Sequence, residues 1–187
     1  VAVTKNRSPE EIEKAIAAGA TIIGENKIQE AKTKFPRLKS PIKKHFIGHL
    51  QTNKAKTAVE LFDMIESVDS LKLAKKIDQE AGKQNKIMPI LLQINIAKDP
   101  NKYGFNEDKL APILKEIKTL PNLDIRGLMA IVPYYDDPEE ARPHFQKMYT
   151  LKEEFDLKEL SMGMTNDYLV AIKEGATLVR IGRALFE

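Results

Sequence analysis

The sequence contains no cysteine and no tryptophan. Without cysteine there are no disulfides and no thiolate metal sites, a pattern compatible with a reducing cytoplasm. No apolar run is long enough to span a bilayer, and no signal-peptide pattern opens the chain, so neither a membrane span nor secretion is expected. A strong charge of one sign is also missing: 30 basic and 27 acidic residues are interspersed and leave a formal net charge of +3. This gives a nucleic-acid role little support. Neither a GxGxxG fingerprint nor a Walker loop is present, which removes the usual reasons for a doubly wound nucleotide-binding sheet. Internal repeats and low-complexity stretches are absent as well. Arginine is scarce, with six in all, yet Arg180 and Arg183 lie close together in an apolar stretch near the C-terminus.

What is present is a regular alternation of short apolar runs and amphipathic segments. Val1-Ala2-Val3-Thr4-Lys5 reads as a strand closed by a lysine. Ser8 caps the helix that follows, with Pro9 at its first position, Glu10 and Glu11 in its first turn and Gly19 at its end. Further strands are expected at 21–24, 44–48, 63–68, 88–96, 123–131, 160–162 and 177–181. Helical runs are expected at 27–34, 53–61, from Asp69 or Ser70 to Gly82, and at 107–120, 138–155 and 166–174. Eight strands in βα alternation, apolar on both faces, predict a single (β/α)8 TIM-type barrel over the whole of residues 1–187. Seven helices accompany eight strands, and the chain is short for such a barrel. The expectation is that a helix covering the seam between the first and last strands lies before Val1.

In a barrel the chemistry sits at the C-terminal ends of the strands. Those ends carry Lys5, Glu25-Asn26, His45 to His49, Asn95, Met129, the run Ser161-Met162-Gly163-Met164-Thr165, and Arg180-Ile181-Gly182-Arg183. Val1, Val3 and Lys5 share one face, so a core-facing Lys5 would lose hydration. Its neutral amine would then be a nucleophile suited to a Schiff base with an aldehyde. The other reading is a lysine that snorkels from the strand end into solvent. The seventh and eighth ends, with the hydroxyls of Ser161 and Thr165, the glycines 163 and 182 and the charge of Arg183, suit a phosphate. They equally suit an ordinary βα turn with a helix cap at Thr165. A phosphate opposite an aldehyde-reactive lysine points to one cofactor carrying both groups, pyridoxal 5′-phosphate (PLP).

His45 and His49 are four apart, but a strand end and Gly48 intervene, so no metal site is expected. The loop Lys102-Tyr103-Gly104-Phe105 reads either as a cover for the pocket mouth or as a surface turn.

Six stretches carry a family resemblance: Val1 to Lys5, Gly24-Glu25-Asn26, His45 to Lys54, Arg126 to Ile131, Ser161 to Asp167 and Val179 to Gly182. Together they resemble the pyridoxal phosphate homeostasis protein family, whose members are similar to the barrel domain of alanine racemase without its second, β-rich domain. The resemblance covers essentially the whole chain. It implies a fold-type III PLP-binding barrel in which Lys5 forms the internal aldimine and Arg180 faces the pyridine nitrogen. It places Ser161, Met162, Thr165, Gly182 and Arg183 in the phosphate-binding segments, and Asn26, His45 and Met129 around the ring.

Thr165 stands where family members often have serine, and Arg183 where many have threonine. An arginine donates to a neutral ring nitrogen and cannot keep it protonated, so the resemblance implies a weak electron sink and a non-catalytic carrier and buffer of PLP. PLP-dependent apo-enzymes are the implied partners, with no nucleic acid or membrane, and the protein is expected to be a cytoplasmic monomer. The alternatives are a PLP-dependent amino-acid racemase of low activity or a lysine Schiff-base aldolase. An RNA-binding module would rest on the weak basic charge alone.

Overall fold

The computed structural model describes residues 1–186. Seven strands form one parallel sheet in sequential order: β1 (Ala2–Val3), β2 (Ile22–Glu25), β3 (Lys43–Phe46), β4 (Met64–Val68), β5 (Met88–Ile94), β6 (Leu123–Ala130) and β7 (Glu159–Ser161). The helices between them are α1 (Pro9–Ala17), α2 (Ile28–Lys34), α3 (Ala55–Leu61), α4 (Leu71–Lys83), α5 (Leu110–Ile117) and α6 (Arg142–Glu154), followed by α7 (Tyr168–Lys173) and a short α8 (Arg183–Phe186). No helix among the described residues is long and apolar enough to cross a membrane.

Local chemistry places these boundaries. The Ser8 hydroxyl accepts from the Glu11 amide while the Glu11 carboxylate accepts from the Ser8 amide, a complete capping box with Pro9 at the first helical position. Ser70, not Asp69, caps α4 by accepting from Leu73. The runs expected at 107–120 and 138–155 each begin as a 3₁₀ turn, Glu107–Lys109 and Pro138–Ala141, before the α-helix takes over.

The expected eighth strand is a correction. Residues 177–181 make single parallel bridges, Leu178 to Ser161 and Ile181 to Ala2, and no continuous ladder. Their hydrogen bonds nevertheless run both ways. The Met162 amide donates to Leu178, the Arg180 amide to Gly163, and the Val3 amide to Ile181. The interruption follows from Gly163, whose φ of +89° takes the continuation of β7 out of extended geometry. A Cβ at that position would collide with Ala171 and the Tyr168 backbone. The segment lies between β1 and β7, so the sheet curls until its two edges share one strip of chain.

The two faces of the sheet are packed differently. The outer face meets the helices in the main core, where Phe62 stands edge-to-face with Phe35 and Phe46 at centroid separations of 5.3 and 5.2 Å. The inner face holds a small apolar cluster of Met64, Leu91 and Met129, with Ile131 and Leu178 against it. Strand parity then fixes which polar residues point inward: Asn26 on β2's continuation, His45, Glu66, Gln93, Ser161 and Arg180. The β5–β6 register slips by one between Ile90 and Leu91, and Gly127 sits at that bulge. A methyl there would overlap the Glu159 carbonyl of β7.

Candidate functional site

At the heart of the inner face is a closed polar network. Glu66 is fully buried, and its Oε1 lies 2.6 Å from His45 Nδ1. Its Oε2 accepts from the Ser161 hydroxyl at 2.6 Å. Ser161 in turn accepts from the Arg180 guanidinium at 2.6 Å, and a second Arg180 nitrogen donates to the Ala130 carbonyl at 2.7 Å. Five strips of chain, β3, β4, β6, β7 and residues 177–181, thus share one hydrogen-bonded unit. Burial pushes the Glu66 carboxyl up, but the His45 hydrogen bond, the Arg180 charge and the Ser161 hydroxyl outweigh it and hold the group below its ordinary range. Burial pulls the Arg180 guanidinium down, with Glu66 and Asp167 opposing.

Above this network, at the C-terminal ends of the strands, the chain ends its runs in turns. Lys5 follows β1 in the turn Thr4–Arg7, closed by the Arg7 amide donating to Thr4 O at 3.0 Å. Lys5 is exposed, which agrees with the reading of a lysine that snorkels from the strand end into solvent and not with that of a desolvated amine. In sequence Lys5 keeps the alternation of Val1 and Val3. The strand, however, stops at Val3, and two further residues carry Lys5 past the packed layer to the rim.

The remaining expected residues divide. His45 and Met129 are buried on the inner face, His45 in the polar network and Met129 in the apolar cluster. Asn26 is half-buried at the rim, and its Oδ1 has no hydrogen-bond partner among the described residues. Ser161 is fully buried with its hydroxyl engaged on both sides, so the expected free hydroxyl for an anion is replaced by a link between Glu66 and Arg180. Met162 packs into the outer core and its amide is bonded to Leu178, so neither its side chain nor its amide faces the rim. Thr165 is half-buried in the turn before α7, and the helix starts after Asp167 with no side-chain cap from either residue; the Asp167 carboxylate instead accepts from the Met164 amide at 2.7 Å, inside the turn. Gly182 and the exposed Arg183 open α8, next to β1. The nearest atom to a Cβ built at Gly182 is the Val3 side chain at 3.5 Å.

Sequence reasoning missed Glu66, the acid that organises the inner face. Its signal was an acidic side chain on the same parity as Met64 inside an otherwise buried strand. The loop after β5 also has a definite place. Tyr103 stacks on His49 with centroids 3.6 Å apart, and His49 Nδ1 is 2.9 Å from Asp69, so the loop reaches across the rim from β5 to β3.

A buried arginine linked to a serine, an unpartnered amide oxygen, two glycines beside the seam and a rim lysine make a constellation able to hold a flat, anionic carbonyl compound. Comparison with known proteins gives this arrangement relatives. The sequence model of the family described as "Alanine racemase, N-terminal domain" matches residues 2–187. The pyridoxal phosphate homeostasis protein of Aquifex aeolicus (strain VF5) is 39% identical over 190 residues, covering 98% of this chain and 83% of the relative. The structure of PipY from Synechococcus elongatus PCC7942 without PLP superposes with a TM-score of 0.95 at 40% identity, covering 100% of this chain and 91% of the other. The structure of PipY with PLP bound gives 0.91 at 38% identity, with the same coverage. By sequence and by fold, the chain belongs to the alanine racemase N-terminal domain family, among its pyridoxal phosphate homeostasis proteins.

Proposed function

We propose that this protein binds PLP covalently through Lys5 and acts as its carrier and buffer, without sustained turnover. The observation that carries the reading is the position of residues 177–181 between β7 and β1. It brings the turn of Lys5, the Gly163 turn and the run from Arg180 to Arg183 to one end of the sheet. We read that segment as the eighth stave of a (β/α)8 barrel.

The donor set suits the cofactor. Asn26 Oδ1 is a buried polar atom with no partner among the described residues, available to a ring substituent. Arg180 has two of its five N–H groups spoken for, which leaves donors for a ring nitrogen. Thr165, Gly182 and Arg183 lie at the rim for the phosphate, through a hydroxyl, an unhindered backbone and a charge. Ser161 acts one step back by holding the guanidinium, His45 holds Glu66, and Met129 floors the pocket. When bound, the cofactor supplies an aldehyde and an electron-accepting ring.

Arg180 keeps its own proton, so it cannot supply the acid that would make the ring a strong electron sink. The Glu66 carboxylate, which could accept a proton, is occupied on both oxygens. The chain's residues therefore bind and orient, and the expected outcome is storage. The PLP-bound relative and the names of the curated relatives support this reading. Delivery to PLP-dependent apo-enzymes, a monomeric state and a cytoplasmic location follow from it as proposals.

The test is a visible absorption spectrum of the purified protein with PLP, followed by borohydride reduction and peptide mapping. Yellow protein with the label fixed at Lys5 and lost in Lys5→Ala is expected. A label elsewhere, or none, overturns the covalent assignment. Many turnovers of amino-acid racemisation or carbon–carbon cleavage, abolished by Lys5→Ala, would overturn the carrier role in favour of an enzyme.

A further inference from the structure

On the outer side of the rim, opposite the pocket, one lysine ammonium collects three oxygens. Lys34 on α2 is 11% exposed. Its Nζ donates to Thr4 O at 2.8 Å, to Glu25 Oε1 at 2.8 Å and to Glu30 Oε2 at 2.7 Å. An ammonium has three donors, so the group is saturated. Two of the three acceptors lead straight back to the turn of Lys5. Glu25, fully buried at the end of β2, also accepts the Thr4 hydroxyl at 2.7 Å. Glu30 Oε2 also accepts the Asn6 amide at 3.0 Å.

The peptide groups on either side of Lys5 are therefore tied to one point. The Thr4 carbonyl is bonded to Lys34 directly, and the Asn6 amide is bonded to the carboxylate that Lys34 holds. The turn needs such support. Asn6 sits third in it with a φ of +59°, the left-handed conformation that the third residue of a type II turn requires and that non-glycine residues adopt at a cost.

We propose that Lys34 is a positioning residue for Lys5: with Glu25 and Glu30 it clamps the Thr4–Lys5 and Lys5–Asn6 peptides and so aims the Lys5 side chain along the rim. The inference rests on the assignment of Lys5 as the PLP-reacting amine. A plain structural salt bridge would hold α2 against β2 and affect stability alone. A clamp would also govern where the amine sits relative to a bound aldehyde, and misplacement by about 1 Å can cost ~10²-fold in reaction. An arginine could not replace Lys34, because its planar fork does not converge three donors from one nitrogen on three oxygens.

The experiment uses PLP on the full chain and reads three quantities: PLP affinity, the rate at which borohydride-fixable label appears at Lys5, and the pH midpoint of the visible band. Glu30→Ala removes the Asn6 acceptor from a side chain that is 21% exposed, so folding should survive. We expect roughly tenfold weaker PLP binding and a displaced pH midpoint in that variant. Lys34→Met combined with Glu25→Gln removes the clamp without stranding a buried carboxylate, and keeps an acceptor for the Thr4 hydroxyl. There the labelling rate should fall by about 10²-fold. Lys27→Ala, which loses only the longer contact to Glu30 at 3.9 Å and touches neither peptide, should match the wild type.

If wild type is labelled at Lys5 and both clamp variants bind, react and titrate like it, the clamp is overturned and the covalent assignment stands. If the double variant does not fold, Glu30→Ala decides alone. If wild type is not labelled at Lys5, the assignment fails and the clamp falls with it.

Discussion

Replacing Glu66 by glutamine is the sharpest test of the inner-face network. The side chain keeps its volume and one acceptor oxygen, so what changes is the charge and one hydrogen bond. In the wild type the carboxylate is fully buried, 2.6 Å from both His45 Nδ1 and the Ser161 hydroxyl, and it balances a guanidinium that is itself 4% exposed. The Glu66→Gln amide would turn an N–H₂ toward one of two groups that now face an oxygen. It would also leave Arg180 buried with no carboxylate inside its hydrogen-bonded unit. Breaking a buried pair from one side costs ~3–5 kcal/mol, and the retained acceptor sets the expectation at the lower end, about 3 kcal/mol. For a chain of this size that corresponds to a fall in Tm of roughly 6–12 °C. Urea unfolding of Glu66→Gln, of Arg180→Met and of the double variant measures it, with the exposed pair variant Glu10→Gln as control. The double variant should lose less than the sum of the singles, by about 1 kcal/mol or more. A Glu66→Gln cost no larger than that of Glu10→Gln, or strictly additive singles, would refute the network as a source of stability.

The same residue sets an acid limb in the stability curve. Its folded-state pKa lies below the ordinary 4.5, so as pH falls past that value the unfolded chain takes the proton first. The stabilisation is present above it and is lost down to the folded-state pKa, and Glu66→Gln should flatten that part of a urea-midpoint titration. Gly127→Ala should destabilise by about 2–3 kcal/mol, because the new methyl forces the bulge away from the Glu159 carbonyl; thermal unfolding reads it. Phe62→Ala should cost ~3–5 kcal/mol in urea, since it empties a buried volume shared by Phe35 and Phe46.

Where the sequence punctuates itself, its architecture is legible. Ser8-Pro9 with Glu11, and Ser70 before an apolar stripe, mark helix starts by chemistry that does not depend on the rest of the fold. Short runs apolar on both faces, alternating with amphipathic helical segments, then leave little choice but a parallel sheet. The reading fails where distant partners decide. Thr177 to Ile181 has the composition of a strand, but its ladder is cut by the conformation of Gly163, a residue on the neighbouring strip. Lys5 has the right parity, yet its burial depends on where β1 stops relative to the layer of side chains beneath it, a question of register and not of sequence. Glu66 and Arg180 show the same limit most sharply. Each is a charged residue at an inward position of an apolar run, and a buried acid requires a buried base. What sequence cannot supply is the closure of the sheet that puts β4 opposite 177–181, with Ser161 between them. Once that closure is in place, the roles follow: a serine held by an arginine on one side and a carboxylate on the other is spent as a spacer. The anion recognition proposed for this chain is therefore assigned to the rim, at the half-buried Thr165 and Gly182 and the exposed Arg183.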